Sequence, residues 1–310
     1  MLYAIPCVRA VFGTKSMIIV VRWYYAHASG NPIGAGFRRW RNEDMKIIDA
    51  HIHFQPGNVH FDRLAREIGH KNSEAYIGEA FSAAGIEYAI VMGNRSMSVD
   101  DHAYPGSMRY CLGIHREPLE SADAVDLAEC HLLREQCAGL KIYAGYTQVD
   151  LDDRSYAPYY KLAARYDKPV AVHTGVTSSS SARLDFCHPL KLDAAAAAYP
   201  RTRFVMCHFG NPWFADAAAV LEKNPNVSAD LSGLLVGPLD IEAYICRQRR
   251  YLEQLRTWIE YVEAYDKFLF GTDWPLIDFD GCIRLVRHII PEEHWEAVFY
   301  DNARRVYGLI

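Results

Sequence analysis

No stretch of the 310-residue sequence reaches the run of apolar residues that a membrane span requires, about 18–20. The best candidate, Met17 to Ala26, is short and broken by Arg22. Basic residues are not in excess either. A net charge of −5 leaves no electrostatic footprint for nucleic acid or an anionic membrane, so neither is an expected partner. No CxxC pair occurs among Cys7, Cys111, Cys130, Cys137, Cys187, Cys207, Cys246 and Cys282. In a chain of this length, such scattered cysteines read as buried free thiols in a reducing compartment, which points to the cytoplasm. No GxGxxG follows the first apolar run, which counts against a dinucleotide-binding fold. There is no fixed-period repeat, and no low-complexity tract beyond Ser178–Ser181 and Ala194–Ala198.

Residues 1–44 lack acidic side chains before Glu43, while carrying Arg9, Lys15, Arg22, Arg38, Arg39 and Arg41. They show neither helical nor strand periodicity. A basic leader of this kind fits a targeting peptide in composition, but it has no ordered signal design and no cleavage site. The reading adopted is an irregular extension, or a start assigned upstream of a true Met45, because MKIIDAHIHF opens directly on a strand. Residues 1–44 are therefore expected to be disordered and dispensable, and residues 45–310 to form the functional domain.

Half of the residues are hydrophobic and 23% are charged, enough for one large core. An α/β barrel typically needs about 250 residues. From Met45 on, apolar runs alternate with amphipathic segments. Strands are expected at Lys46–His51, Tyr88–Met92, Arg109–Ile114, Gly139–Tyr143, Val170–His173, Phe204–His208, Val227–Leu231 and Phe268–Thr272. Helices are expected at Ser73–Ala84, Ala122–Gln136, Ala157–Tyr166, Asp193–Tyr199, Pro212–Lys223, Tyr251–Tyr265 and Phe279–His288. Eight βα units predict a parallel (β/α)8 TIM barrel, whose active site lies at the C-terminal ends of its strands. A last helix, Asp301–Leu309, is expected to close the floor, with Asp301 as N-cap and Gly308 as stop.

Four of these runs end in metal-ligand residues. His51 and His53 form a His-x-His pair, and residues i and i+2 of a strand share a face, so both can grip one ion. His173 ends PVAVHTG, His208 ends RFVMCHFG, and Asp273 ends KFLFGTD. His60, His70, His102, His131, His188, His288 and His294 lack this setting and read as surface or supporting residues.

With IDAHIHF, GLKIY, KPVAVHTG, RFVMCHFGN, LFGTDWP and DNARRVYGL, the chain from Met45 resembles the amidohydrolase superfamily. The similarity is to the amidohydrolase-related branch that includes aminocarboxymuconate-semialdehyde decarboxylase. The resemblance implies His51, His53, His173 and Asp273 as ligands of one divalent metal, most often Zn2+, with Mn2+ as an alternative. It implies His208 and Asp273 as catalytic residues working with metal-bound hydroxide. In binuclear members a carboxylated lysine bridges two metals, and Lys141 stands where that lysine would; the single-metal reading is favoured. Barrels of this branch often form homodimers. His and carboxylate donors with one open position independently suit a catalytic zinc.

Substrate contacts are expected from the other strand ends: Asn94, Arg95, His115, Arg116, Lys141, Tyr143, Asn211, Trp213 and Trp274, with Ser232 near strand seven. Arginine suits a carboxylate and tryptophan a planar ring. The expected function is metal-dependent hydrolysis of a small carboxylated or cyclic ester, lactone or amide. The alternative is a carboxy-lyase acting on an unsaturated or aromatic acid through the same site. A non-catalytic barrel would show a broken position in the constellation, and none is broken. A metal-free lactonase would use the histidines as acid–base groups.

Overall fold

The computed structural model describes residues 45–121 and 123–309; the extension 1–44 lies outside the described residues. Eight strands run Ile47–Ile52 (β1), Ile86–Met92 (β2), Met108–Ile114 (β3), Cys137–Ile142 (β4), Val170–His173 (β5), Phe204–Cys207 (β6), Val227–Asp230 (β7) and Phe268–Leu269 (β8). They form one parallel sheet in sequence order. The ends meet. Ala50 donates its amide to Phe270 O at 2.9 Å, and Asp273 donates to His51 O at 2.8 Å. The fold is the expected (β/α)8 barrel.

Both faces of this sheet are covered, which explains why β1 (IIDAHI) and β4 (CAGLKI) are buried at every position. Alternate residues divide between two cores. Ile90, Met92, Cys111, Ala171, Val205, Cys207 and Leu269 pack with Ala303, Val306, Tyr307 and Leu309, filling the barrel interior down to its floor. Their neighbours in sequence, such as Tyr110, Leu112, Val172, Phe204 and Met206, pack outward in the larger core shared with the helices.

The final helix does close the floor, but its start differs from the expectation. Asp301 has helical φ −62° and ψ −39°, and its side chain caps nothing. A π-turn, Ala297–Asp301, feeds straight into helix Asn302–Tyr307, so no N-cap is needed there. Gly308 ends the helix at φ +62°, as expected of a glycine stop.

β8 is only two residues long, not five. Beyond Leu269 the backbone leaves the β7 ladder and bonds to β1 and to Val298 O, which carries Asp273 to the barrel mouth. Four α-helices among the described residues were not expected: Val59–Glu67, Arg116–Glu120, Ala144–Thr147 and Ile241–Arg247. Val59–Glu67 is nucleated by Asn58, whose Oδ1 accepts the amides of His60 at 3.0 Å and Phe61 at 3.3 Å.

Candidate active site

The ends of β1, β5, β6 and β8 bring the sequence-derived residues together. Asp273 Oδ1 lies 3.1 Å from His53 Nε2 and 3.4 Å from His51 Nε2. Ligand atoms of these three residues all fall within 4.8 Å of one another. His208 stands beside them, its ring centroid 4.7 Å from that of His51 and 4.8 Å from that of His173. Asp273 and His208 adopt φ +67° and +62°. This left-handed backbone is costly for residues with a side chain and tends to cluster at functional sites. Here it turns each side chain back over the barrel mouth just as its strand ends.

A layer of hydrogen bonds holds these residues. His51 Nδ1 lies 3.0 Å from Asp230 Oδ2. Asp230 Oδ1 accepts the amides of His208 at 2.9 Å and Ser232 at 3.2 Å, and the Ser232 hydroxyl. Ser232 Oγ lies 2.8 Å from His208 Nδ1, and His208 Nε2 lies 3.2 Å from His173 Nδ1. The Asn94 amide sits 2.8 Å from His53 Nδ1. Gly233, at φ +64°, packs flat on the His208 imidazole: a Cβ there would lie 2.5 Å from His208 Nδ1.

Burial disfavours charge on the imidazoles. It lowers His51 to about 3, with Lys141 adding to the effect against the pull of Asp230 and Asp273. His173 is held well below its usual value by burial and by its neighbours His208 and Lys141. His208 is lowered by burial against Asp273 and Asp230. Burial raises both carboxyls, yet the neighbouring histidines outweigh it. Asp273 and Asp230 both end below the ordinary carboxylate range. His51, His173 and His208 are thus neutral imidazoles facing ionised carboxylates, the protonation that metal ligation requires.

Whether these residues fit a metal can be tested on unpartnered atoms. His51 Nε2 and His173 Nε2 are buried without a hydrogen-bond partner, and Asp273 Oδ1 is buried with His53 Nε2 3.1 Å away. His51, His53 and Asp273 form the close group of ligand atoms, with His173 outside it. Buried polar atoms are rarely left without a partner. Two imidazole nitrogens and a carboxylate oxygen, joined by His53 Nε2, are the donor types a divalent zinc-like ion takes. The residues fit.

Above them opens a cavity of about 810 Å3. His53, His173, His208 and Asp273 form its base, and Asn94, His115, Tyr143 and Asn211 line it as expected. The His115 and Tyr143 rings are parallel, 6.0 Å apart. The Tyr143 hydroxyl is buried without a partner, and burial holds its pKa well above the usual phenol value.

Six expected contacts point elsewhere; Ser232 is fully buried, its hydroxyl on Asp230 Oδ1. Arg95 turns away to the carbonyls of Phe54 and Asp101. Arg116 is exposed and donates to Thr147 O at 2.6 Å. Lys141 is fully buried below the cavity, its Nζ 2.7 Å from Cys207 Sγ. Trp213 packs on the His188 ring outside the cavity. Trp274 is fully buried on Phe279, its Nε1 donating to His70. Each follows a strand closely, but adjacency in sequence does not fix side-chain direction. His102 and His131, read as surface or supporting residues, are fully buried instead.

The sequence reading missed Asp230, Asp49 and Thr272, as well as the apolar walls Phe61, Leu64, Leu234 and Leu276. Asp230 carried a usable signal. VSADLSG, like KFLFGTD, is a strand run ending in Asp with Gly close by.

Comparison with curated protein sequences returns no match. Solved structures resemble the barrel at low identity. An amidohydrolase from Burkholderia multivorans with bound zinc matches at 18% identity and TM-score 0.62, over 86% of this chain and 100% of its own. 2,6-Dihydroxybenzoate decarboxylase from Rhizobium matches at 16% and 0.63, over 86% and 99%. A probable 2-pyrone-4,6-dicarboxylic acid hydrolase from Acinetobacter baumannii, with citric acid bound, matches at 13% and 0.58, over 86% and 100%. At these identities the likeness shows the fold. The model of one family, described as amidohydrolase, covers residues 48–309, and the chain belongs to that family.

Proposed function

We propose that this chain is a metal-dependent hydrolase acting on a small ester, lactone or amide. The observation that carries the reading is the set of unpartnered buried atoms: His173 Nε2 and Asp273 Oδ1 on residues at the base of the cavity, and His51 Nε2 on a fully buried residue beside Asp273. His51, His53, His173 and Asp273 would hold one ion, with zinc favoured by the donor set. A bound divalent ion there supplies Lewis acidity and lowers the pKa of water toward about 7. Engagement of Lys141 Nζ with Cys207 Sγ favours one ion over two, because a bridging carboxylated lysine would need that nitrogen.

The chain's own groups do the rest. Asp273 accepts a proton at its carboxylate, and His208 takes or returns one at Nε2, beside the reacting atoms, when its 3.2 Å contact with His173 Nδ1 opens. The Tyr143 hydroxyl, protonated and unpartnered, donates to a substrate oxygen. Phe61, Leu64, Leu234 and Leu276 exclude water around a compact apolar body. Arg95 and Arg116 face away, and Arg63, which also lines the cavity, is exposed and paired with Glu67 at 2.8 Å. A polycarboxylate therefore finds no guanidinium clamp deep in the cavity.

A carboxy-lyase is the second reading, favoured by the aromatic walls Phe61, Tyr143 and Tyr146. These suit a planar ring, and His208 would then protonate the carbon losing CO2. Zinc- or manganese-loaded protein, assayed on aryl esters, lactones, amides and hydroxybenzoates with CO2 detection, separates the two. Ester, lactone or amide turnover without CO2 supports hydrolysis. CO2 release from an aromatic acid replaces it with the lyase.

A further inference from the structure

We infer that Asp230, outside the ligand set proposed above, fixes the tautomers of three imidazoles with one carboxylate and so leaves the Nε2 lone pairs of His51 and His173 free for a metal. The inference rests on the metal-site reading above and adds the device that prepares the ligands.

The polarity follows from counting protons. Asp230 is fully buried. Its Oδ1 accepts three donors, the amides of His208 at 2.9 Å and Ser232 at 3.2 Å and the Ser232 hydroxyl, a load that favours the ionised carboxylate. Oδ2 faces His51 Nδ1 at 3.0 Å. An ionised carboxylate can only accept, so the neutral His51 ring carries its proton on Nδ1. Its Nε2 then has a free lone pair, and that nitrogen is one of the unpartnered buried atoms.

A second branch leaves Oδ1. The single hydroxyl proton of Ser232 goes to Asp230, so Ser232 Oγ must accept from His208 Nδ1 at 2.8 Å. That places the His208 proton on Nδ1 and leaves Nε2 an acceptor. His208 Nε2 faces His173 Nδ1 at 3.2 Å, so His173 donates from Nδ1. Its Nε2 is then a lone pair as well, and it is another of the unpartnered buried atoms. One carboxylate thus sets His51 directly, and His208 and His173 in relay. Asp230 and Ser232 are positioning residues. Neither lines the cavity, so neither is placed to touch substrate.

The relay is tested on metal-free protein labelled with 15N-histidine, reading the tautomers by long-range 1H–15N correlation. Each ring is assigned by its loss in the corresponding single substitution. We expect Nδ1–H tautomers at His51, His173 and His208. Ser232→Ala cuts one branch only: His208 and His173 should lose their fixed tautomer while His51 keeps its own. Asp230→Asn should leave its carbonyl oxygen on the two backbone amides and turn its NH2 toward His51 Nδ1, switching that ring to Nε2–H. Zinc affinity, measured by competition with a chromophoric chelator, should weaken about 10–100-fold in Ser232→Ala, the usual effect of removing such a partner, and more in Asp230→Asn.

An Nε2–H tautomer at His51 or His173 in the wild type overturns the relay. So does a Ser232→Ala variant in which all three rings respond alike, or none does. If Asp230→Asn does not fold, the selective response in Ser232→Ala carries the test. The expected tautomers without zinc binding uphold the relay and refute the metal reading. Zinc binding with the wrong tautomers refutes the relay alone.

Discussion

Thr272 Oγ1 donates to Asp49 Oδ2 at 2.6 Å, across 223 residues of sequence. The other oxygen of Asp49 takes the amides of Thr272 at 3.0 Å and His51 at 3.1 Å. One buried carboxyl therefore ties the end of β1 to the segment after β8, directly between His51 and Asp273. Removing it strands three donors in a closed interior. We expect Asp49→Ala to lower stability by about 2–4 kcal/mol, the range for breaking buried polar networks. Thr272→Val should cost about 1 kcal/mol, the net worth of one hydrogen bond. Urea titrations of both variants check this; equal stability would show that the tie does not hold the barrel seam.

Tyr143→Phe separates chemistry from packing. The hydroxyl has no protein partner, so its removal should leave the melting temperature unchanged or slightly raised. kcat/KM should fall about 100–1,000-fold, the range for losing a donor to a developing oxyanion. Arg116→Ala is the matching control. Its guanidinium is exposed and turned to Thr147 O, so kcat/KM should be unchanged.

Gly233→Ala should disable the site without unfolding the barrel. The new Cβ would press on His208 Nδ1, and the positive φ adds strain. We expect loss of about 100-fold or more in kcat with the circular dichroism spectrum retained. A fully active variant would show that the His208 ring can move freely.

Stability should fall on mild acidification through histidines away from the site. His131 Nδ1 takes the Tyr110 hydroxyl at 2.8 Å, and its Nε2–H donates to Met97 O at 3.0 Å, an arrangement of the neutral ring. Burial lowers its pKa, as it does that of His102, stacked on Tyr110 at 4.6 Å. The unfolded chain therefore takes up protons first, near pH 6.5. The stability these neutral rings contribute is present above that value and is lost as pH falls through it toward the folded values. Melting temperature should drop between pH 7 and 5, and less steeply in His131→Gln. An identical slope in the variant would exclude this residue as a source.

Much of the fold and half of the site were legible in the sequence. β1, β5 and β6 announce themselves because buried parallel strands are continuous apolar runs, and theirs end in His51, His173 and His208. Helix Val59–Glu67 was not legible. Its few apolar residues, Phe61, Leu64 and Ala65, sit among charges, and an Asn58 cap does not stand out in a polar stretch. Asp230 ends a strand run much as Asp273 does, but its role escaped because it acts on other residues through hydrogen bonds that only the folded chain brings together. Arg95, Arg116, Trp213 and Trp274 were misplaced for a simpler reason. Position after a strand locates a Cα, whereas the direction of a long side chain depends on packing partners far away in sequence.

The measurement that tests the central claim most directly is metal content by plasma mass spectrometry. It would be made on protein purified without chelator and reconstituted with zinc or manganese, beside the His51→Ala/Asp273→Ala double variant. We expect one equivalent of metal in the wild type and none in the double variant. A wild type that stays folded and metal-free after reconstitution, or a double variant that keeps its metal, would contradict the account.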